Sequence, residues 1–169
     1  GDFYGSFGLT EVTAGSDAAG IRTTAVKDGD DYILNGTKIF NTNGPFADYT
    51  AVYAMIEPEK KAKGLGCFVL QKGMPGFSVG KIENKMGIRA ARVSEMVMEN
   101  VRVPASHMIA PSGTGFPTAM KALDGGRIGV AAQGLGIAKG AFEITKEYLK
   151  VREQFGKPLY KNQHIAFKM

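Results

Sequence analysis

The sequence holds one cysteine, two histidines and no tryptophan. A single thiol, Cys67, can form neither an intrachain disulfide nor a cysteine metal cluster, which suits a reducing compartment. His107 and His164 have no partner at ligand spacing, so no metal is expected. No apolar run approaches the roughly 18 residues of a membrane helix, and the opening residues lack the pattern of a signal peptide. The net charge of +5 is scattered. No tract of five or six cations and no basic stripe interleaved with aromatics occurs, which argues against nucleic acid as a partner. Charge of this sign favours an anionic small ligand such as a nucleotide.

What is present suffices for a core: 44% of the 169 residues are hydrophobic and 22% charged. That length fits one domain, or one domain with part of another. Both ends read as cut, since the chain opens close to a strand and stops inside a helical pattern. Residues 7 to about 110 read as β. Short runs at 21–26, 32–34, 37–42, 48–56, 65–71, 77–80, 93–98 and 101–103 are separated by turn residues, above all Lys27-Asp28-Gly29-Asp30-Asp31 and Asn35-Gly36. The spacing predicts an antiparallel sandwich or open barrel. From Phe116 to about Arg152 the apolar residues recur at helical spacing, with Asp124-Gly125-Gly126 expected to split the run into a short and a longer helix. Phe155-Gly156-Lys157-Pro158 is expected to end it through a C-terminal glycine, and a further helix starts near Asn162. The fold class is therefore α+β, with a β-domain over 1–112 followed by the first helices of an all-α bundle over 113–169.

Four stretches could carry chemistry. Phe7-Gly8-Leu9-Thr10 runs into Glu11-Val12-Thr13-Ala14-Gly15-Ser16-Asp17, a small and hydroxylated loop that lets a backbone approach a flat or phosphorylated ligand. It reads equally as a capped turn. Lys38-Ile39-Phe40-Asn41-Thr42-Asn43-Gly44 ends a strand with an aromatic, an amide and a hydroxyl, which suits stacking on a ring or simply a strand end and its turn. Asp124 and Arg127 share a helix face and could pair with each other or meet a ligand. Arg152, with Phe155 and Gln163 nearby, suits a pyrophosphate, although a cation at a helix end is also favoured by the dipole. Gly134, Gly136 and Gly140 imitate a dinucleotide loop but lie inside the helical run, where close helix packing explains them.

The ordered stretches FGLTEVTAGSD, LNGTKIFNTNG, GFSVGKIENKMGIR, ENVRVP, GTGFPTAMKALDGGRIGVAAQGLGIAKGA and REQFGKPLYKNQHIAFKM resemble the acyl-CoA dehydrogenase family nearly end to end, in its short-chain, butyryl-CoA type. The resemblance implies a middle β-domain and the opening helices of a C-terminal helical domain. It implies FAD as cofactor, held by Phe7, Leu9, Thr10, Ser16, Phe40, Asn41 and Thr42. Arg152, Phe155 and Gln163 would reach the FAD of a neighbouring subunit in a homotetramer. Ser16, Asp124 and Arg127 would contact the acyl-CoA. The implied reaction is removal of an α-proton by a carboxylate while the β-hydride passes to the flavin, giving a 2-enoyl-CoA, with electrons then passed to an electron-transfer flavoprotein. The setting would be bacterial cytoplasm or a mitochondrial matrix.

No catalytic residue is assigned. Some members of the family carry their base at the position of Gly126, and the resemblance otherwise places it in a segment outside these residues, so the chain alone is expected to be inactive. Val12-Thr13 replaces the family's usual Pro-Gly, and Asn41 replaces an apolar residue; a buried Asn41 would need partners. An acyl-CoA oxidase-like flavoenzyme and a non-catalytic nucleotide or acyl-CoA binding module are the competing readings.

Overall fold

The turn signal at 27–31 acts as its composition demands. Gly29 takes φ 62°, and β2 (Thr24–Asp28) folds back on β3 (Asp31–Thr42) with Asp28 opposite Asp31. Asn35-Gly36, by contrast, is no turn: both residues lie within β3, where the register against β7 (Val93–Pro104) shifts between Leu34 and Gly36. Glycine is required there for close approach, because a Cβ on Gly36, at φ 148°, would collide with Thr23. The runs 93–98 and 101–103 are likewise one strand. Asn100 bridges them at φ 52°, its N–H donating to Asn35 Oδ1 at 2.8 Å and its side chain accepting from Asn35 Nδ2 at 3.1 Å.

The computed structural model describes residues 1–169 as two compact units, Gly1–Lys121 and Ala122–Met169. In the first, β1 (Gly5–Gly8), β4 (Tyr49–Met55), β5 (Leu65–Gln71), β6 (Phe77–Ile82) and β8 (Met108–Ala110) complete an eight-stranded sheet in the order β6-β7-β3-β2-β4-β5-β8, with β1 on β4. The pairing is antiparallel except along one edge of β4. There β1 pairs in parallel with Gly8 opposite Val52, and β2 follows with Thr24 opposite Met55. The two strands share that edge in succession, so residues 9–23 leave the sheet and return to it. Pro58–Gly64 forms the 3-10 connection between β4 and β5.

β4 and β5 are buried on both faces, which is why they read as near-continuous apolar runs. Val52, Ala54, Phe68 and Leu70 join Leu34, Val101 and Val103 on one side. Tyr53, Met55, Leu65 and Cys67 join Leu9, Ile21 and Ala119 on the other. The methionines are not uniformly core: Met55, Met96 and Met98 are buried, whereas Met86 is exposed.

α1 (Gly115–Val151) is a single helix of 37 residues, so the expected break at Asp124-Gly125-Gly126 does not occur. Each glycine costs a helix about 1 kcal/mol but keeps its N–H and carbonyl in the ladder. Pro117, which lacks the N–H, sits in the first turn, where that donor has no helical acceptor. Gly134, Gly136 and Gly140 lie inside α1 with open space beside them. The helix also ends before the expected glycine. Phe155 and Gly156, at φ 55° and 68°, form the two-residue loop of a hairpin between β9 (Glu153–Gln154) and β10 (Lys157–Pro158). Positive φ at both central residues matches the twist of paired strands. α2 (Gln163–Ala166) follows behind Asn162. No helix is long and apolar enough to cross a membrane.

Candidate functional site

Where β1 leaves β4, the chain passes across the end of β3. Ile39 N donates to Thr10 O at 2.9 Å and Ser6 Oγ to Thr42 O at 2.8 Å, which places residues 7–10 beside residues 39–42. The approach is close: a Cβ on Gly8 would lie 3.2 Å from Asn41 Oδ1 and 3.3 Å from the Ala51 carbonyl. Of the residues singled out by sequence, Phe7, Leu9, Thr10, Phe40, Asn41 and Thr42 are thereby brought together.

Two features of this junction stand out, one by its exposure and strain and one by its unpaired donors. The first is Phe40, which is 60% exposed and held at φ 58°, a left-handed conformation that costs an aromatic residue of order 1–3 kcal/mol. It sits where the register of β3 against β7 shifts between Lys38 and Asn41. The second is Thr10, half-buried, whose N–H and hydroxyl make no hydrogen bond within the chain although its carbonyl does. A free peptide donor and hydroxyl beside an exposed aromatic suit a flat conjugated ring with a polar edge. Phe7, its ring 5.3 Å from that of Tyr53, is partly exposed on the same segment. Leu9 is buried, and Thr42 is exposed. Asn41 is fully buried. Its Nδ2 donates to Ser94 O at 3.0 Å, while Oδ1 has no partner.

Ser16 lies one turn farther along. Glu11 and Ala14 exchange backbone bonds of 3.0 and 3.1 Å around Val12 and Thr13, neither of which needs positive φ, so this turn forms without glycine. Ser16 itself is exposed.

Beneath the junction lies a buried ion pair that the motifs did not single out. Lys38 Nζ is 2.6 Å from Glu11 Oε1, with the lysine fully buried and the acid nearly so. Lys38 also donates to Leu9 O at 3.2 Å. The Glu11 carboxylate accepts from Arg22 N at 2.6 Å, Thr23 N at 3.0 Å and Thr23 Oγ1 at 2.6 Å. Burial raises the Glu11 pKa, but the Lys38 charge and these bonds outweigh it and hold the carboxyl below its usual range. Burial pulls Lys38 down to about 8, only partly offset by Glu11. Cys67, on β5, is pushed up to about 11 by burial, and Tyr53 is raised for the same reason, so both stand neutral beside the pair. The available signal was a lysine at an inward position of an apolar strand, together with an acid inside a small-residue loop.

In the second unit, Asp124 Oδ1 and Arg127 Nε stand 3.9 Å apart and both side chains are about four-fifths exposed, a contact of little energetic weight. Arg152 caps α1, its N–H donating to Tyr148 O at 2.9 Å and its carbonyl accepting Leu159 N at 2.8 Å. Leu159 O in turn accepts Asn162 N at 3.0 Å, next to Gln163. Backbone bonds thus gather Arg152, the hairpin and Gln163. Phe155, at the hairpin tip, is 95% exposed.

Comparison with known proteins matches residues 6–101 to the acyl-CoA dehydrogenase middle domain and residues 113–169 to the acyl-CoA dehydrogenase C-terminal domain. The chain is 51% identical to the short-chain specific acyl-CoA dehydrogenase of Clostridium acetobutylicum, covering 100% of this chain and 45% of that protein. It superimposes on butyryl-CoA dehydrogenase from Megasphaera elsdenii with a TM-score of 0.95 and 53% identity, over 98% of this chain and 44% of the other. A chain in the structure reported for the electron transferring flavoprotein of Acidaminococcus fermentans aligns with a TM-score of 0.96 and 51% identity, over 99% and 44%. The chain therefore spans less than half the length of the relatives it matches.

Proposed function

Because the chain belongs to the acyl-CoA dehydrogenase family, we propose that residues 1–112 and 113–169 are the middle β-domain and the first C-terminal helices of a longer FAD-dependent enzyme. The reaction we assign is α,β-dehydrogenation of a short-chain acyl-CoA to the 2-enoyl-CoA. The observation that carries this reading is the strained, exposed Phe40 beside the free Thr10 N–H and hydroxyl. FAD, when bound, supplies the acceptor for the hydride. The chain's own part is to hold the ring: Phe40 and Phe7 as apolar walls, Leu9 and Thr10 as hydrogen-bonding edge, Asn41 and Thr42 at the strand end. Ser16 meets both cofactor and substrate, and Asp124 and Arg127 line the acyl-CoA path. The base that takes the α-proton belongs to a segment outside these residues.

Arg152, Phe155 and Gln163 serve the FAD of a neighbouring subunit in a homotetramer. Their exposure at one end of the second unit supports this, as does a guanidinium's fit to pyrophosphate. The apolar side chains exposed on α1, among them Ile128, Leu135, Ile137 and Ile144, support burial against further helices of the longer protein. Electrons leave to an electron-transfer flavoprotein, and the setting is bacterial cytoplasm; the relatives named above support both.

The test is the visible spectrum of the longer protein, recorded anaerobically before and after butyryl-CoA. A yellow protein that bleaches is expected. Colour without bleaching would move the substrate elsewhere, and failure to take up FAD would leave only a binding module. Rapid reoxidation by oxygen would indicate an oxidase. In the same protein Arg152→Ala should weaken FAD retention by about tenfold, the order of one charge-assisted hydrogen bond. Full retention of FAD and of the tetramer, followed by gel filtration with absorbance at the flavin band, would remove Arg152 from the site.

A further inference from the structure

The buried pair beneath the junction has a consequence for the peptide above it. In a planar trans peptide the carbonyl and the following N–H point in opposite directions. Lys38 Nζ holds the Leu9 carbonyl inward at 3.2 Å, in the buried layer under the loop. The N–H of the same peptide belongs to Thr10, and it is the donor that finds no acceptor within the chain. Rotation of this peptide would bury that donor and strip Lys38 of one of its two acceptors, Glu11 being the other. Ile39, next to Lys38, fixes the following carbonyl through its bond to Thr10 O at 2.9 Å. Residues 38 and 39 thus set both peptide planes that flank Thr10. A cation on the carbonyl side also polarises the amide and makes its N–H a stronger donor.

We propose that Lys38 is a positioning residue for the flavin, aiming and polarising the Thr10 N–H through the Leu9 carbonyl, with Glu11 as the counter-ion that sets how much of its charge the flavin feels. This rests on the flavin site proposed above and goes beyond it by giving a role to a pair that touches no ligand. A buried ammonium favours the reduced, more negative flavin, and the carboxylate beside it opposes that preference. Removing one member or the other should therefore move the flavin's reduction potential in opposite directions. A pair that merely held the loop together would move it the same way in both cases, or not at all.

The experiment measures midpoint potential and FAD dissociation constant in the longer protein for wild type, Lys38→Met, Glu11→Gln and the double variant. Lys38→Met should lower the potential and weaken FAD by about tenfold, the size of one lost and one weakened hydrogen bond. Glu11→Gln, measured at a pH low enough to keep Lys38 protonated once its counter-ion is gone, should raise the potential. The electroneutral double variant should fall back below Glu11→Gln, and this comparison carries the test if Lys38→Met alone does not fold. Potentials that shift in the same direction, or a double variant no lower than Glu11→Gln, overturn the inference while leaving the site intact. A wild-type protein that takes up no flavin overturns the site and the inference together.

Discussion

Exchange of Glu11 for alanine is expected to cost about 3–5 kcal/mol of folding stability, the range for breaking a buried ion pair from one side. The carboxylate receives four donors: Lys38 Nζ, Thr23 Oγ1 and the backbone N–H groups of Arg22 and Thr23. Alanine leaves all four beneath the junction, and a buried ammonium is the costliest of them to strand. Denaturant unfolding of the longer protein reads the loss, which should show as a lower midpoint. A companion variant, Glu11→Leu with Lys38→Met, removes both charges and should recover a substantial part of it, because desolvation of two ions is then no longer opposed only by their attraction. A loss for Glu11→Ala below about 1 kcal/mol would mean that the pair behaves as a solvated surface contact. The pH dependence has a definite sign. Glu11 is held below its ordinary value of 4.5, so the unfolded chain binds its proton more readily. Its contribution is present above about pH 4.5 and fades as the pH falls through the folded value, and Glu11→Ala should flatten that acid limb.

Much of this was legible in the sequence, and the failures share a cause. The strand at 65–71, the turn at 27–31 and the helix start near Asn162 depend on local composition, and the structure follows them. Asn35-Gly36 carries the same local signal as a hairpin turn, yet Gly36 is there because Thr23, thirteen positions earlier, leaves no room for a side chain. Asp124-Gly125-Gly126 is weak as helix, yet the helix runs through it because two unfavourable propensities remove no hydrogen bond. Phe155-Gly156 reads as a helix end and is a hairpin loop because residues 153–154 and 157–158 pair. In the site, the segments that meet were visible as motifs, but their meeting was not. Bonds from Ile39 to Thr10 and from Ser6 to Thr42 span 29 and 36 positions, and nothing in either motif announces the other. Lys38 shows this most sharply. By composition it is a surface cation, yet it falls on the same alternation of β3 as the buried Tyr32 and Leu34 and is fully buried against Glu11, whose place beneath it no local signal announces.

Phe40 offers the second large effect, because stability and function should there move in opposite directions. Glycine adopts φ 58° without steric cost, so Phe40→Gly relieves backbone strain of about 1–2 kcal/mol. The gain is reduced by glycine's greater freedom in the unfolded chain, about 0.5–1 kcal/mol, and little packing is lost from a side chain that is 60% exposed. The FAD-free longer protein should therefore unfold at an equal or slightly higher denaturant midpoint than wild type. The same change removes the aromatic wall proposed above for the flavin ring. Stacking of an aromatic side chain on a heterocycle is worth about 1–3 kcal/mol, so the FAD dissociation constant should rise roughly tenfold to hundredfold. Phe40→Leu separates the two contributions: it keeps the strain and some apolar surface but loses the flat ring, and should weaken FAD without any gain in stability. If Phe40→Gly instead destabilises the FAD-free protein and leaves FAD affinity untouched, the positive φ belongs to the fold, and Phe40 is no wall of the site. An exposed aromatic held in a strained conformation is costly to the apo protein whatever it does. A flat ring seated against residues 7–10 and 40–42, as proposed above, would offset that cost by stacking, and the opposed shifts in stability and FAD affinity are its signature.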